Sequence, residues 1–220
     1  MTQIVYIEGN IGSGKTTFIN LLGKHLNNKF RYTILREPVD QWISIVNSRG
    51  ENLLELFYRD QDKWSFAFQM NSFISRVKDI TNIVNSNQYD IVFVERSVYV
   101  DRYCFALNCY ESGKMTEIEY KIYCQWHDWL SEHFHVKPFG YIYLKTDPEI
   151  SLSRITRRLR RGEESIPLEY LQALHNKHND LLEAEENNNV RVLNLDVTYD
   201  FDNSPRMNEF ANSIIDAFLT

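Results

Sequence analysis

The sequence predicts an α/β fold: a five-stranded parallel sheet flanked by helices. Three observations carry that prediction. Five short β-rich runs stand out, QIVYI (3–7), YTILRE (32–37), DIVFVE (90–95), GYIYLK (140–145) and VRVLNL (190–195). They are near-continuously apolar, as strands covered on both faces are. Helical patterns separate them, the alternation expected of parallel strands joined by crossover helices. Finally, a glycine-rich loop, EGNIGSGKTT (8–17), joins the first run to a helical pattern, FINLLGKHL (18–26).

That loop fits G-x-x-x-x-G-K-[ST] at Gly9, Gly14, Lys15 and Thr16. Its glycines let backbone N–H groups turn inward on a phosphate chain, and the following helix N-terminus adds partial positive charge. Lys15 can reach the outer phosphates and the Thr16 hydroxyl can ligate Mg²⁺. The expected phosphate-binding stretch is Gly9, Asn10, Ile11, Gly12, Ser13, Gly14, Lys15, Thr16 and Thr17.

The remaining elements follow in order. The stretch from about 51 to 86 is long, aromatic-rich and helical in pattern, as is TEIEYKIYCQWHDWLSEHF (116–134). NNN (187–189) is a loop before the last strand, and a final helix covers about 206–219. The 220 residues contain no repeat, low-complexity tract or Pro/Gly-rich linker, so one domain over 1–220 is expected. A net charge of −6 argues against a broad nucleic-acid or anionic-membrane surface. Cys104, Cys109 and Cys124 have no metal-ligand spacing and are expected as reduced thiols. No apolar run is long enough to span a bilayer. The first strand begins about three residues from Met1, which leaves no room for a targeting peptide, and a cytoplasmic location is expected.

Ligands of open α/β sheets lie beyond the carboxyl ends of the strands. Strand two ends in Arg36-Glu37-Pro38, strand three in Glu95-Arg96-Ser97, strand four in Lys145-Thr146-Asp147. Two carboxylates and an arginine therefore converge beside the phosphate loop. The chain has no D-x-x-G, and its nearest approach to N-K-x-D is Asn176-Lys177-His178-Asn179, which speaks against a regulatory GTPase. A P-loop kinase moving a γ-phosphate to a small hydroxyl fits the size. In such an enzyme Thr16 and Glu95 are the candidate magnesium contacts, and Glu37 is placed to orient and deprotonate the acceptor. Lys15 and Arg96 meet the charge of the transferring group. The run RITRRLRRG (154–162), with Arg154, Arg157, Arg158 and Arg161 on one helical face and Arg160 elsewhere, reads either as a solvated or nucleic-acid-facing basic helix or as an arginine-rich lid over about 154–165; the acidic overall charge and its place after strand four favour the lid.

Taken together these residues resemble the deoxynucleoside kinase family. The resemblance covers nearly the whole chain: EGNIGSGKTT, EPVDQW (37–42), ENLLELFY (51–58), KWSFAFQ (63–69), SFISR (72–76), ERSVYVDRY (95–103), QWHDWL (125–130), IPLEYLQALHNKH (166–178) and LDVTYDF (195–201). It implies ATP as phosphate donor, Mg²⁺, and a deoxynucleoside acceptor in nucleotide salvage. It also implies roles. Glu37 resembles the base for the sugar 5′-hydroxyl, Arg96 its partner, and Glu95 the second magnesium contact. Tyr58 and Glu163 are similar to the pair that holds the 3′-hydroxyl. Gln69 corresponds to the glutamine that reads the base edge. Phe68 and Phe105 match the aromatics on either side of the base, with Trp42, Ile11, Leu54 and Phe57 shaping the pocket. Arg154, Arg158 and Arg160 fall on the lid arginines, and Asp200 and Phe201 on the loop around the donor's base.

Within the family, an arginine and an aspartate at Arg76 and Asp101 accompany use of deoxycytidine or purine deoxynucleosides, orienting the glutamine and crowding a thymine methyl. Poor use of thymidine is therefore expected, and Ser72 leans towards the deoxyguanosine version. The resemblance further implies a homodimer through the helices around 72–86 and 116–134. It implies inhibition by an end-product dNTP as well, an expectation that indifference to every dNTP would overturn. The competing readings are a thymidine-accepting or multisubstrate member, a nucleoside monophosphate kinase, and a non-catalytic nucleotide-binding subunit. The intact set Lys15, Thr16, Glu37, Glu95 and Arg96 argues against the last.

Overall fold

A computed structural model describes residues 2–26, 30–158, 160, 163, 166–199 and 204–219. Five parallel strands form one sheet in the order β2-β3-β1-β4-β5: β1 (Gln3–Glu8), β2 (Tyr32–Leu35), β3 (Ile91–Glu95), β4 (Gly140–Lys145) and β5 (Arg191–Asp196). The first strand is central, between β3 and β4, and its side chains are buried on both faces after Gln3. Alternation along it divides the core. Ile4 and Tyr6 pack with Phe73, Tyr123 and Leu182, whereas Val5 and Ile7 pack with Phe18, Leu22, Phe210 and Ile214. One face is thus covered by α1 (Lys15–His25) and α10 (Ser204–Phe218). The other is covered by α4 (Gln61–Asn85), α7 (Glu117–His133) and α9 (Leu168–Asn187).

All five expected strands are present. The second ends early: its ladder stops at Leu35, so Arg36, Glu37 and Pro38 leave the sheet. Pro38 has no N–H for a ladder, and α2 (Val39–Ser44) begins directly after it. The long stretch over 51–86 is two helices, α3 (Leu53–Arg59) and α4. Asn52 and Glu55 form a reciprocal capping box at the start of α3. Asp60 leaves helical geometry (φ −145°) and its carboxylate accepts the Lys63 N–H, which starts α4 afresh.

After β3, a short turn of helix, α5 (Val98–Val100), runs into a π-helical turn (Asp101–Ala106) and then α6 (Leu107–Glu111). The basic helix α8 (Pro148–Arg158) ends before Arg160. Arg160 is therefore not on a helical face at all, and Arg161 lies outside the described residues. Helix α9 extends into the expected NNN loop and closes at Asn189, which adopts φ +62°. No helix of the described residues is long and apolar enough to cross a membrane. The three cysteines are unpaired.

Candidate active site

The carboxyl ends of β1 and β3, the start of α1, and helices α3, α4, α8 and α9 enclose one cavity of about 630 Å³. Its floor at one end is the phosphate loop. Gly14 takes a left-handed conformation (φ +93°), delivering the chain into α1. Gly12 (φ +77°) lies so close to α8 that an added Cβ would sit 2.4 Å from the Ser151 carbonyl oxygen. Ile11, Gly12, Gly14, Lys15, Thr16 and Thr17 line the cavity. Gly9, Asn10 and Ser13 lie behind it. The Gly9 and Asn10 carbonyls each accept Lys15 Nζ at 2.8 Å, and Asn10 Nδ2 donates to the Leu171 carbonyl of α9.

Beside the loop, charges are gathered in a near-dry space. Glu37 Oε1 accepts Arg96 Nε at 3.1 Å and Arg76 Nη2 at 3.1 Å. Arg76 is 2% exposed, and its Nε donates to Asp101 Oδ2 at 2.8 Å and its Nη1 to the Glu95 carbonyl at 2.9 Å. The Thr16 hydroxyl donates to Glu95 Oε1 at 3.1 Å. Glu8 accepts the Ser97 backbone N–H at 2.6 Å. Four carboxylates (Glu8, Glu37, Glu95, Asp101) thus face three cations (Lys15, Arg76, Arg96).

The balance shows in their protonation. Burial pushes Glu37 up, but Arg96, Arg76 and Lys15 outweigh it and hold the carboxyl at about 2. Burial and Arg96 bring Lys15 down to about 7, against the pull of Glu37, Glu95 and Glu8. Burial raises Glu8 to about 7, opposed first by Arg96.

The other end of the cavity is aromatic. Phe57 and Phe68 stack at 4.4 Å, and Trp42 meets Phe68 edge-on at 5.4 Å. Phe105 carries the Arg96 guanidinium 4.4 Å above its ring. Leu54, Tyr58, Gln69 and Asp101 complete this wall, with Ser72. The expected hold of Arg76 and Asp101 on Gln69 is not seen. Arg76 is committed to Asp101, Glu37 and backbone carbonyls, and Gln69 Nε2 instead faces Cys109 Sγ at 3.8 Å.

The end of α8 and the described residues after it close the third side. Glu163 is buried, and accepts Arg158 through Nε (2.7 Å) and Nη2 (2.5 Å) and Arg160 through Nη1 at 3.3 Å. Arg160 therefore turns back into the cavity despite lying beyond the helix. Arg154 donates to the carbonyls of Ser13 (3.3 Å) and Val197 (2.9 Å), bracing the phosphate loop against the segment after β5. Burial, and then the Glu163 charge, raise Tyr58 above the ordinary phenol range, so it is a neutral donor. Asp200 and Phe201 lie outside the described residues.

Sequence reasoning missed Arg36, Val39 and Tyr170, which also line the cavity. Tyr170 sits in a quoted motif, IPLEYLQALHNKH, and its position in the first turn of the helix after the lid was the available signal.

Glu37 gives the site a stability signature. Its folded-state pKa is depressed from 4.5 to about 2, so it contributes stability that is present above the unfolded pKa and lost as pH falls through that window. In Glu37→Gln, Arg76 and Arg96 lose their shared carboxylate. Urea unfolding should show this variant weaker than wild type at about pH 7, with the gap shrinking as the pH falls below about 4.5 towards about 2. A gap constant over that range contradicts the assignment.

A deoxynucleoside kinase family model matches residues 5–219. The chain is 36% identical to deoxycytidine kinase 2 of Gallus gallus over 98% of this chain and 90% of that protein. It is 38% identical to Homo sapiens deoxycytidine kinase over 90% and 84% of the two chains. It is also 35% identical to the mitochondrial deoxyguanosine kinase of Xenopus laevis over 97% and 88%. The chain therefore belongs to the deoxynucleoside kinase family and is an ATP-dependent phosphotransferase of nucleotide salvage.

Proposed function

We propose that the chain transfers the γ-phosphate of ATP to the 5′-hydroxyl of a deoxycytidine or purine deoxynucleoside, with Glu37 as the proton acceptor. The observation that carries this reading is Glu37 itself. It is ion-paired to Arg76 and Arg96 between a phosphate loop and an aromatic slot of one cavity. Two arginines keep it ionised and fix its direction. A carboxylate with so low a pKa is a weak base, but phosphoryl transfer through a loose transition state calls for little proton removal before bond breaking. Orientation of the hydroxyl is then the larger contribution.

The donor phosphates lie on the loop, with Lys15 and the lid arginines Arg154, Arg158 and Arg160 neutralising their charge. Thr16 and Glu95 present hard oxygen donors within 3.1 Å of each other at that end of the cavity, which fits Mg²⁺. They would hold it with the phosphates, and when bound it supplies charge neutralisation. Tyr58 and Glu163 hold the sugar 3′-hydroxyl, and Phe68 and Phe105 flank the base.

Base choice follows from Asp101. Its carboxylate faces the slot while Arg76 holds it from behind with Nε at 2.8 Å and Nη2 at 3.3 Å. It wants a hydrogen-bond donor. Cytosine, adenine and guanine carry an exocyclic amine; thymine offers a carbonyl and a methyl instead. Gln69 can donate and accept on the same edge.

A second copy of the chain is the fitting partner for one surface. Ile118, Ile122, Trp126 and Trp129 recur along one face of α7 and are exposed, beside exposed Ile74 of α4. This face forms the homodimer.

Two measurements check these statements. With Mg·ATP and equal sub-KM acceptors, deoxycytidine or the purine deoxynucleosides should turn over at least about tenfold better in kcat/KM than thymidine, and dTMP should be inert. Thymidine matching the others overturns the Asp101 argument, and transfer to dTMP alone overturns the acceptor assignment. In light scattering, wild type should be a dimer and Trp126→Glu a folded monomer; a monomeric wild type contradicts the interface.

A further inference from the structure

Glu8 has no part in the steps above, yet it is a fully buried carboxylate one residue before the phosphate loop. Burying a charge there is unfavourable unless it is paired or hydrogen-bonded. Its Oε1 accepts the backbone N–H of Ser97 at 2.6 Å. Ser97 follows Arg96, which adopts φ +68°, a left-handed conformation rarely taken by a long side chain. Such a conformation persists only where the surroundings over-determine it. Here the backbone tether is Arg96 N–H to the Ile7 carbonyl at 3.0 Å, and the Glu8 carboxylate is the side-chain tether on the next peptide. The Ser97 hydroxyl then accepts the Val100 N–H at 3.1 Å, fixing the exit into α5. This turn carries the Arg96 guanidinium to Glu37 and over Phe105. Both tethers come from the end of β1, so the turn is anchored to the strand that delivers the phosphate loop.

We infer that Glu8 is a positioning residue: by holding the Ser97 N–H it fixes the left-handed turn that aims Arg96 at Glu37, and so aligns the acceptor side of the site with the phosphate loop. This rests on the reading that Arg96 works with Glu37. Burial raises Glu8 to about 7, and both its ionised and neutral forms retain an oxygen that accepts the N–H. Glu8→Gln keeps that acceptor and Glu8→Leu removes it at similar size.

The test is a cycle of Glu8→Leu, Arg96→Ala and the double variant, with Glu8→Gln as the rescue. Glu8→Leu should lower kcat by about 100-fold while KM for ATP moves far less. Glu8→Gln should stay within about fivefold of wild type, and the double variant should be no worse than Arg96→Ala alone. A Glu8→Leu enzyme within about twofold of wild type overturns the inference, as do multiplicative losses in the double variant or a Glu8→Gln as impaired as Glu8→Leu. Arg96→Ala with full activity would instead overturn the reading beneath it. A readout independent of turnover is the Ser97 amide proton in the serine-¹⁵N-labelled full chain. It should lie far downfield in wild type and in Glu8→Gln, and move upfield in Glu8→Leu. An ordinary shift in wild type overturns the inference even if no Glu8 variant folds.

Discussion

The buried guanidinium of Arg76 is the constraint on which the site depends. It projects from the middle of α4 into a space with almost no solvent and holds Asp101, Glu37 and the Glu95 carbonyl together. Each belongs to a different part of the chain: the π-helical turn, the segment after β2, and the end of β3. A buried ion pair adds little net stability over a well-packed apolar substitute. Removing one partner, by contrast, leaves an uncompensated charge and costs about 3–5 kcal/mol. What Arg76 supplies is position. Asp101, proposed to read the base, and Glu37, proposed to face the hydroxyl, share Nη2 of one planar group, so neither moves alone.

The remaining architecture serves that arrangement from two sides. The central strand carries apolar residues to both faces and then, at its end, Glu8 and the phosphate loop. The aromatic wall of Trp42, Phe57 and Phe68 comes from α2, α3 and α4, and Trp42 is pinned by its indole N–H to Ser75 at 3.0 Å. On the third side, the region after α8 folds back through Glu163, which ion-pairs with Arg158 and Arg160. Under the proposed function, donor phosphates would compete with Glu163 for the same arginines, tying the segment after α8 and the proposed sugar-binding carboxylate to one charge balance.

Much of this was legible in the sequence because the signals were local. Unbroken apolar runs located the strands, and GNIGSGKT located the phosphate loop. Charges at strand ends located Glu37, Glu95 and Arg96. What stayed hidden was set by tertiary contacts. Pro38 in EPVDQW marks that the strand must end by that point, but that the ladder already stops at Leu35 and Glu37 turns to its arginines is set by tertiary contacts. The helix break at Asp60 was readable in principle, because Asp60 has Lys63 at capping distance, but the surrounding apolar periodicity masked it. Arg160 turns inwards because Glu163 is there to meet it, a pairing across a non-helical turn that helical phase cannot reveal. Gln69 beside Cys109, Tyr170 in the wall and Glu8 under Ser97 are long-range contacts without a spacing rule.

The central claim is that Glu37, held by Arg76 and Arg96, takes the proton of the acceptor hydroxyl. Its most direct test is Glu37→Gln, comparing the rate of phosphate transfer in a single turnover with the affinity for the preferred deoxynucleoside. The account predicts transfer slowed by about a thousandfold or more with affinity changed by only a few-fold. Transfer within about tenfold of wild type, or a loss of rate matched by an equal loss of nucleoside binding, would contradict it.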